Sequence, residues 1–308
     1  MLTAFSSSGQ FWRGNLHCHT TESDGKVTPE EACRRYQEAG YDFLVVTDHY
    51  RDKFDYPITD TSPFRNESFS TLIGTELHTQ HPEQATLSGT DWHILAVGVP
   101  FDFEAPSIKE SISSLTQRCL DTGAFVALAH PHYNQLTVDE AMNLPDIHAV
   151  EVYNHTSQLA VDRGDGLVMF DELLNRGRKI NGIAVDDTHW KINDFAGGWV
   201  MVKAQSNTPE QLLSALKSGD YYSSQGPEIH DIRIENGALV VESSEARSIV
   251  AVGKGNLNSK KHGDGLIKAS LSINKFRGSW CRVVVTDAQG KRAWSNPLWL
   301  GDDVNPRN

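Results

Sequence analysis

Cysteine is scarce and dispersed: Cys18, Cys33, Cys119 and Cys281 form no CxxC pair, so neither a disulfide framework nor a thiolate zinc site is expected. Long apolar runs are missing as well. Nothing approaches the roughly 20 residues that span a bilayer, and no membrane association is expected. Positive charge is in deficit, with 28 Lys and Arg against 40 Asp and Glu and a formal net charge of −12; this opposes a long polyanion such as duplex nucleic acid. The opening "MLTAFSSSGQFW" lacks the basic start, apolar middle and small-residue cleavage site of a secretory signal, which points to the cytoplasm. No GxSxG elbow or phosphate-cradling P-loop occurs, nor any internal repeat or low-complexity tract, so those routes to catalysis are set aside.

What is present is repetition of one grammar. Six β-rich runs end at a polar residue: "FWRGNLH" at His17, "DFLVVTDH" at His49, "TLIGTE" at Glu76, "AFVALAH" at His130, "IHAVEVYN" at Asn154 and "INGIAVDDTH" at His189. Helical signals lie between them. Thr28-Pro29-Glu30-Glu31 reads as a capping box with Gly40 closing the helix, further helices fit about 107–122 and 158–176, and Thr208 to Gly219 repeats the cap-and-glycine pattern. Alternating strands and helices imply an α/β fold on a parallel sheet, open or closed into a barrel. After about Gly226 the texture becomes antiparallel, with hairpins about Asn236-Gly237 and Gly290. Two domains are therefore expected in the 308 residues, one over 1–225 carrying the chemistry and a small β-rich one over 226–308.

On a strand, residues two apart share a face, so His17 and His19 in "NLHCHTTESDG" present their imidazoles together. Alone, this HxH pair fits the histidines of an ordinary half-buried strand better than a metal site. Its companions matter more: Asp24, His49, Glu76, His130, Asp187 and His189 all lie at or just beyond downstream strand ends, which share one rim in a parallel barrel. His93 begins its apolar run instead, so its strand would have to start at the mouth. With it the donors number nine, more than one ion takes, and two or three divalent ions are implied. Imidazole and carboxylate without thiolate suit zinc, manganese or iron.

The stretches "NLHCHTTESDG", "VVTDH", "GTE", "AHP" and "DDTH", in this order over about residues 13–225, resemble the successive motifs of the polymerase and histidinol phosphatase (PHP) family of metal-dependent phosphoesterases. The resemblance implies a distorted (βα)7 barrel with two or three metals. It also implies that His17, His19, Glu76 and Asp187 hold the first metal, that Glu76 bridges to a second held by His93 and His130, and that Asp24, His49 and His189 hold a third. The closing "AWSNPLWL" and its β-rich surroundings resemble a bacterial branch that includes carbamate-hydrolysing enzymes related to carbaryl hydrolase.

Clustered metals can ionise a water and neutralise a phosphoryl group, so no serine or cysteine nucleophile is required. Asp187, His189 and His132 are the residues expected to take part in catalysis, His132, His155, Asp48 and Asp186 being open to an outer supporting role or to ordinary surface and capping roles. Arg51, Arg65 and Lys191 follow strand ends and are expected to meet an anionic substrate, the rival being a solvated charge; Lys53 shares that position. Trp190 and Tyr153 suit either stacking on a ring or core packing. The expected activity is hydrolysis of small phosphate esters, monoesters or short nucleotide diesters. The alternatives are a carbamate or carboxylic ester hydrolase with the same centre and a non-catalytic, metal-stabilised binding module. Oligomeric state is left open.

Overall fold

Strands with apolar residues on both faces must be covered on both sides, and this requirement shapes the first two-thirds of the chain. The computed structural model describes residues 3–79 and 82–301. Strand β1 (Gln10–Asn15) leads through α1 (Pro29–Glu38) to β2 (Phe43–Val46), the short β3 (His49–Tyr50) and the long β4 (Ser70–His78). Then follow β5 (His93–Val97), α2 (Ile112–Asp121), β6 (Phe125–Leu128), α3 (Val138–Met142) and β7 (Ala149–Asn154). Helices α4 (His155–Val161) and α5 (Leu167–Asn175) precede β8 (Asn181–Val185), β9 (Trp199–Ala204), α6 (Pro209–Ser218) and β10 (Tyr221–Ser224). Seven strands pair in the order β1-β2-β4-β5-β6-β7-β8. Leu95 and Val97 of β5 face inward with Phe43, Leu72, Phe125 and Ala149, while Ile94 and Ala96 face outward and pack with Leu115 of α2, Ala141 of α3 and Phe170 of α5.

The result is a mixed α/β fold. The sheet does not close as a continuous ladder, in contrast to the expected barrel: between β8 and β1 the link is an isolated parallel bridge, Cys18 to Thr188, with His19 N–H and Asp187 N–H donating to Thr188 O and His17 O at 2.9 Å each. Nor is it all parallel. Strand β5 runs antiparallel to both β4 and β6, so His93 starts its strand at the mouth, in register with His78.

The tail consists of β11 (Ile229–Glu235), β12 (Ala238–Gly253), β13 (Asn258–Ser272), β14 (Ser279–Thr286), β15 (Arg292–Ser295) and β16 (Leu298–Leu300). All its pairings are antiparallel. Asn236 and Gly237 both have positive φ, 51° and 74°, as a tight hairpin turn demands. Strand β10 pairs with β9 on one side and β15 on the other, so the expected division near 226 falls inside one hydrogen-bonded sheet. Residues 302–308 of the expected tail lie outside the described residues. Among the described residues no helix is long and apolar enough to cross a membrane.

Two local expectations need correction. The single helix expected at 158–176 is two, because Asp162 takes a left-handed φ of 58° and the chain then presses Gly166 against β7, where a Cβ would lie 2.0 Å from Glu151 O. Thr28 caps α1 by accepting from Glu31 N–H, but the Glu31 carboxylate pairs with Arg34 and Arg35. The reciprocal capping box occurs instead at Thr137 and Glu140 of α3.

Candidate metal centre

Period-two alternation carries Leu72, Gly74, Glu76 and His78 up the inner face of β4, so an apolar floor ends in a carboxylate and an imidazole. Neighbouring strands deliver the rest: Glu76 is paired with His49 of β3 and Leu95 of β5, and His78 with His93. His130 and Asp187 sit just past β6 and β8 with left-handed φ of 21° and 57°, kinks that turn both side chains into the mouth.

Glu76 is the hub, buried and central. Its Oε1 lies 2.8 Å from His93 Nδ1, 3.2 Å from His130 Nε2 and 3.4 Å from His17 Nε2. Its Oε2 lies 2.5 Å from His49 Nδ1 and 3.4 Å from His78 Nε2. Asp187 Oδ1 stands 3.1 Å from His17 Nε2 and 3.0 Å from His19 Nε2. At the outer rim Asp24 Oδ1 faces His49 Nε2 at 3.4 Å and His189 Nε2 at 3.3 Å. All nine expected donors thus converge.

These donors fit divalent ions by an observation independent of any motif. Glu76 Oε2 and Asp24 Oδ1 are buried and have no hydrogen-bond partner among the described residues, although imidazole nitrogens stand within 3.4 Å of each. The nitrogens are close enough yet not aligned on those oxygens, the arrangement left when lone pairs aim at a common point between them. Among the described residues four overlapping groups of three or four donors have ligand atoms within 4.8 Å of one another, the largest being His19-Asp24-His49-His189 and His49-Glu76-His78-His93.

The electrostatics are those of many charges sharing little water. Burial disfavours the Glu76 carboxylate, but His93, His49, His17 and His78 around it hold its pKa well below the usual range. Burial likewise opposes protonation of His49, yet Glu76 and Asp24 raise it to about 9. His19, by contrast, is driven well below the usual imidazole value by burial and by neighbouring His49 and His189, which keeps a lone pair free.

A supporting layer holds these groups. Glu151 Oε1 is 2.7 Å from His17 Nδ1, and its Oε2 accepts from His130 N–H at 2.7 Å and Asn154 Nδ2 at 2.9 Å. Asp48 accepts from Thr20 N–H, Thr20 Oγ1, Ser23 Oγ and Thr59 Oγ1. Asp186 accepts from Tyr36 and from the amides of Ala196, Gly197 and Gly198; burial lifts its pKa to about 6 against those bonds.

The expected substrate residues divide. Lys191 lies at the rim, its Nζ 2.7 Å from Asp24 Oδ2, and Arg51 pairs with Asp91 at 2.5 Å. Arg65 does not reach the site: its Nε donates to Thr71 O and Oγ1, five residues below Glu76 on β4 and so about 17 Å away. His132 is exposed beside Leu136, Val168 and Met169, and no contact joins it to the donors. His155 bonds Tyr153. Tyr153 packs in the outer core, and Trp190 packs on Tyr36 and Phe195 while donating to His19 O, so both are packing residues. Sequence reasoning missed His78 and Glu151. The signal was there in each case: His78 stands two places from Glu76 on the inner face of β4, and Glu151 is a carboxylate inside the wholly buried β7.

No family model and no curated relative matches the sequence. Among solved structures, the chain is similar to a two-domain protein from Bacteroides vulgatus containing a predicted PHP-like metal-dependent phosphoesterase, with a TM-score of 0.52 and 12% identity over 96% of this chain and 98% of that one. It is also similar to a candidate metal-dependent phosphoesterase from Bifidobacterium adolescentis (TM-score 0.39, 15% identity, 58% of this chain and 89% of that one). A third match is an amidohydrolase from Chromobacterium violaceum with bound sulfate and no metal (TM-score 0.41, 13% identity, 57% and 87%). The first similarity, spanning nearly all of both chains, shows that this chain shares the fold of that two-domain protein.

Proposed function

We propose that the chain is a metal-dependent hydrolase of small phosphate esters, built on a distorted seven-stranded PHP-type barrel. The observation that carries this reading is Glu76, whose two oxygens each face a separate set of imidazoles at the bottom of an open mouth. His17, His19, Asp187, Glu76, His93, His130, Asp24, His49 and His189 would hold two or three divalent ions, of zinc, manganese or iron. Such ions supply Lewis acidity and ionise water at neutral pH. The chain's own part is to offset their mutual repulsion with Glu76, Asp187 and Asp24 and to present imidazole nitrogens to the mouth. His189, held by its Nδ1 2.9 Å from Asp187 O, offers its Nε2 at the rim beside Asp24. Substrates are small esters rather than long duplex nucleic acid or a membrane surface, and the compartment is the cytoplasm.

One observation favours the second reading, a carbamate or carboxylic ester hydrolase of the kind the tail resembles. The cations expected to greet a phosphate are either turned away, as Arg65 is, or already paired with Asp91 and Asp24. A turnover panel of aryl phosphates, nucleotides, short oligonucleotides and aryl carbamates on metal-analysed protein decides between them. The same preparation tests the centre through Glu76→Gln, which keeps the shape and removes the charge. We expect a folded chain short of metal and at least about a hundredfold slower; full occupancy with near-normal turnover would falsify the shared role of Glu76.

A further inference from the structure

Among the donors, His78 stands outside the expected set of nine, yet it is fully buried at the mouth. It ends β4 on the same inner face as Glu76 and lies opposite His93, with its ring centroid 4.2 Å from that of His93. Its Nε2 is 2.9 Å from His49 Nδ1 and 3.4 Å from Glu76 Oε2, and the third side, His49 Nδ1 to Glu76 Oε2, is 2.5 Å. A triangle with these sides has a circumradius of about 1.7 Å, less than a metal–nitrogen bond of ~2.1 Å, so a point exists at bonding distance from all three atoms.

We propose that His78 is a metal ligand of this chain, completing with Glu76 Oε2 and His49 Nδ1 a cation site at the Glu76 carboxylate. The proposal rests on the reading of this cluster as a metal centre. It divides the two oxygens of Glu76 between two donor groups: Oε1 serves His17, His93 and His130, and Oε2 serves His49 and His78. A neutral imidazole has a single lone pair in the ring plane. With His49 Nδ1 as donor, His49 belongs to this site, and the rim oxygen Asp24 Oδ1 keeps His189 Nε2 at 3.3 Å as its nearer imidazole. Oxygen from Glu76 and two imidazole nitrogens suit a borderline ion such as zinc or cobalt(II), with water completing the shell.

A structural role for His78, in which it only hydrogen-bonds and positions His49, predicts a different result from a thiol placed at the same point. Full-length wild type and His78→Cys are loaded with cobalt(II) and their absorption spectra compared. We expect a thiolate-to-cobalt charge-transfer band in the near ultraviolet in His78→Cys that is absent from the wild type, whose four cysteines are all buried in the fold and whose Cys18 faces away from the donors. Cobalt-loaded His78→Cys without that band overturns the proposal while leaving the metal centre standing. Wild type that takes up no cobalt, zinc or manganese removes both. If His78→Cys does not fold by circular dichroism, the near-isosteric His78→Gln decides by elemental analysis. One equivalent fewer than wild type supports the ligand, and the wild-type count overturns it.

Discussion

Glu151 shows how much of the centre is decided by one side chain that touches no expected substrate. It is 1% exposed and accepts from His17 Nδ1, from the His130 amide and from Asn154, which itself donates to Asp187 Oδ2 at 3.0 Å. With Nδ1–H committed to Glu151, His17 can offer only Nε2 to the mouth, so the carboxylate selects the tautomer. Glu151→Gln brings an NH2 either against His17 Nδ1, reversing its tautomer, or against the two donors His130 N–H and Asn154 Nδ2. Metal affinity should fall about 10- to 100-fold, read by competition with a chelator, and stability should fall by about 1–3 kcal/mol, read by denaturant melts. Unchanged affinity in the folded variant would leave Glu151 a purely structural acid. The sequence put this residue in view, since an acid inside "IHAVEVYN" breaks a run whose other inner positions are apolar. It lies inside its strand, whereas the other donors stand at strand ends, the position Asn154 holds here. Arg65 fails for the converse reason: position after a strand end does not specify which way a loop then runs, and this one runs back to Thr71.

Elements place the donors that residues alone cannot. The loop from Thr20 to Gly25 is tied to Asp48 at three of its polar atoms and returns so closely that a Cβ on Gly25 would meet His19 O at 2.5 Å and His19 C at 2.6 Å. Backbone cannot yield as a side-chain tip can. Gly25→Ala should therefore push the loop off His19 and carry Asp24 away from His49 and His189, costing about 1–3 kcal/mol and weakening occupancy around Asp24 before that around Glu76. Thermal midpoint and metal count on one preparation test this, and a variant with wild-type values for both would show that the loop has slack. The strand ends and the need for β5 to start at the mouth were legible, because apolar runs of four to six residues and period-two alternation encode them. The split between α4 and α5 was not. It depends on close approach to Glu151 O, a tertiary contact with no local signature beyond the glycines themselves.

Across the whole molecule the tail and the first residues brace the fold that carries the site. Asp220, just before β10, accepts from the amide and hydroxyl of Ser6, from Ser7 Oγ and from Ser218 Oγ. Burial disfavours its charge, but those bonds outweigh it and lower its pKa below the ordinary value. A depressed pKa contributes stability above the unfolded value of about 3.9 and loses it as pH falls through the folded one. Asp220→Asn should thus flatten the acid limb of a stability–pH profile below about pH 4 and leave the site's metal count intact; an unchanged limb would assign that limb to other carboxylates. The tail is bound more deeply. Trp280 and Trp294 belong to the same core as Phe170 and Leu173 of α5, Asn296 bonds Gly182 N–H, Gly219 O and Tyr221 O, and Arg282, 4% exposed, grips Asp171 with two bonds of 2.8 and 2.9 Å. Removing the arginine strands a partly exposed carboxylate, so Arg282→Ala should cost about 1–3 kcal/mol, at or below the range for fully buried pairs. The tail's described histidines, His230 and His262, are exposed and distant in the sheet order from β4, so metal content should be unchanged in that variant. A chain ending near Gly226 should not fold stably, because it exposes the apolar faces that Trp280, Trp294 and their neighbours cover. Circular dichroism melts and elemental analysis of both proteins check the pair of outcomes. A truncated chain that melts cooperatively within a few degrees of the full one would make the tail a separable module, whereas loss of one metal equivalent from folded Arg282→Ala would mean that the brace reaches the site itself.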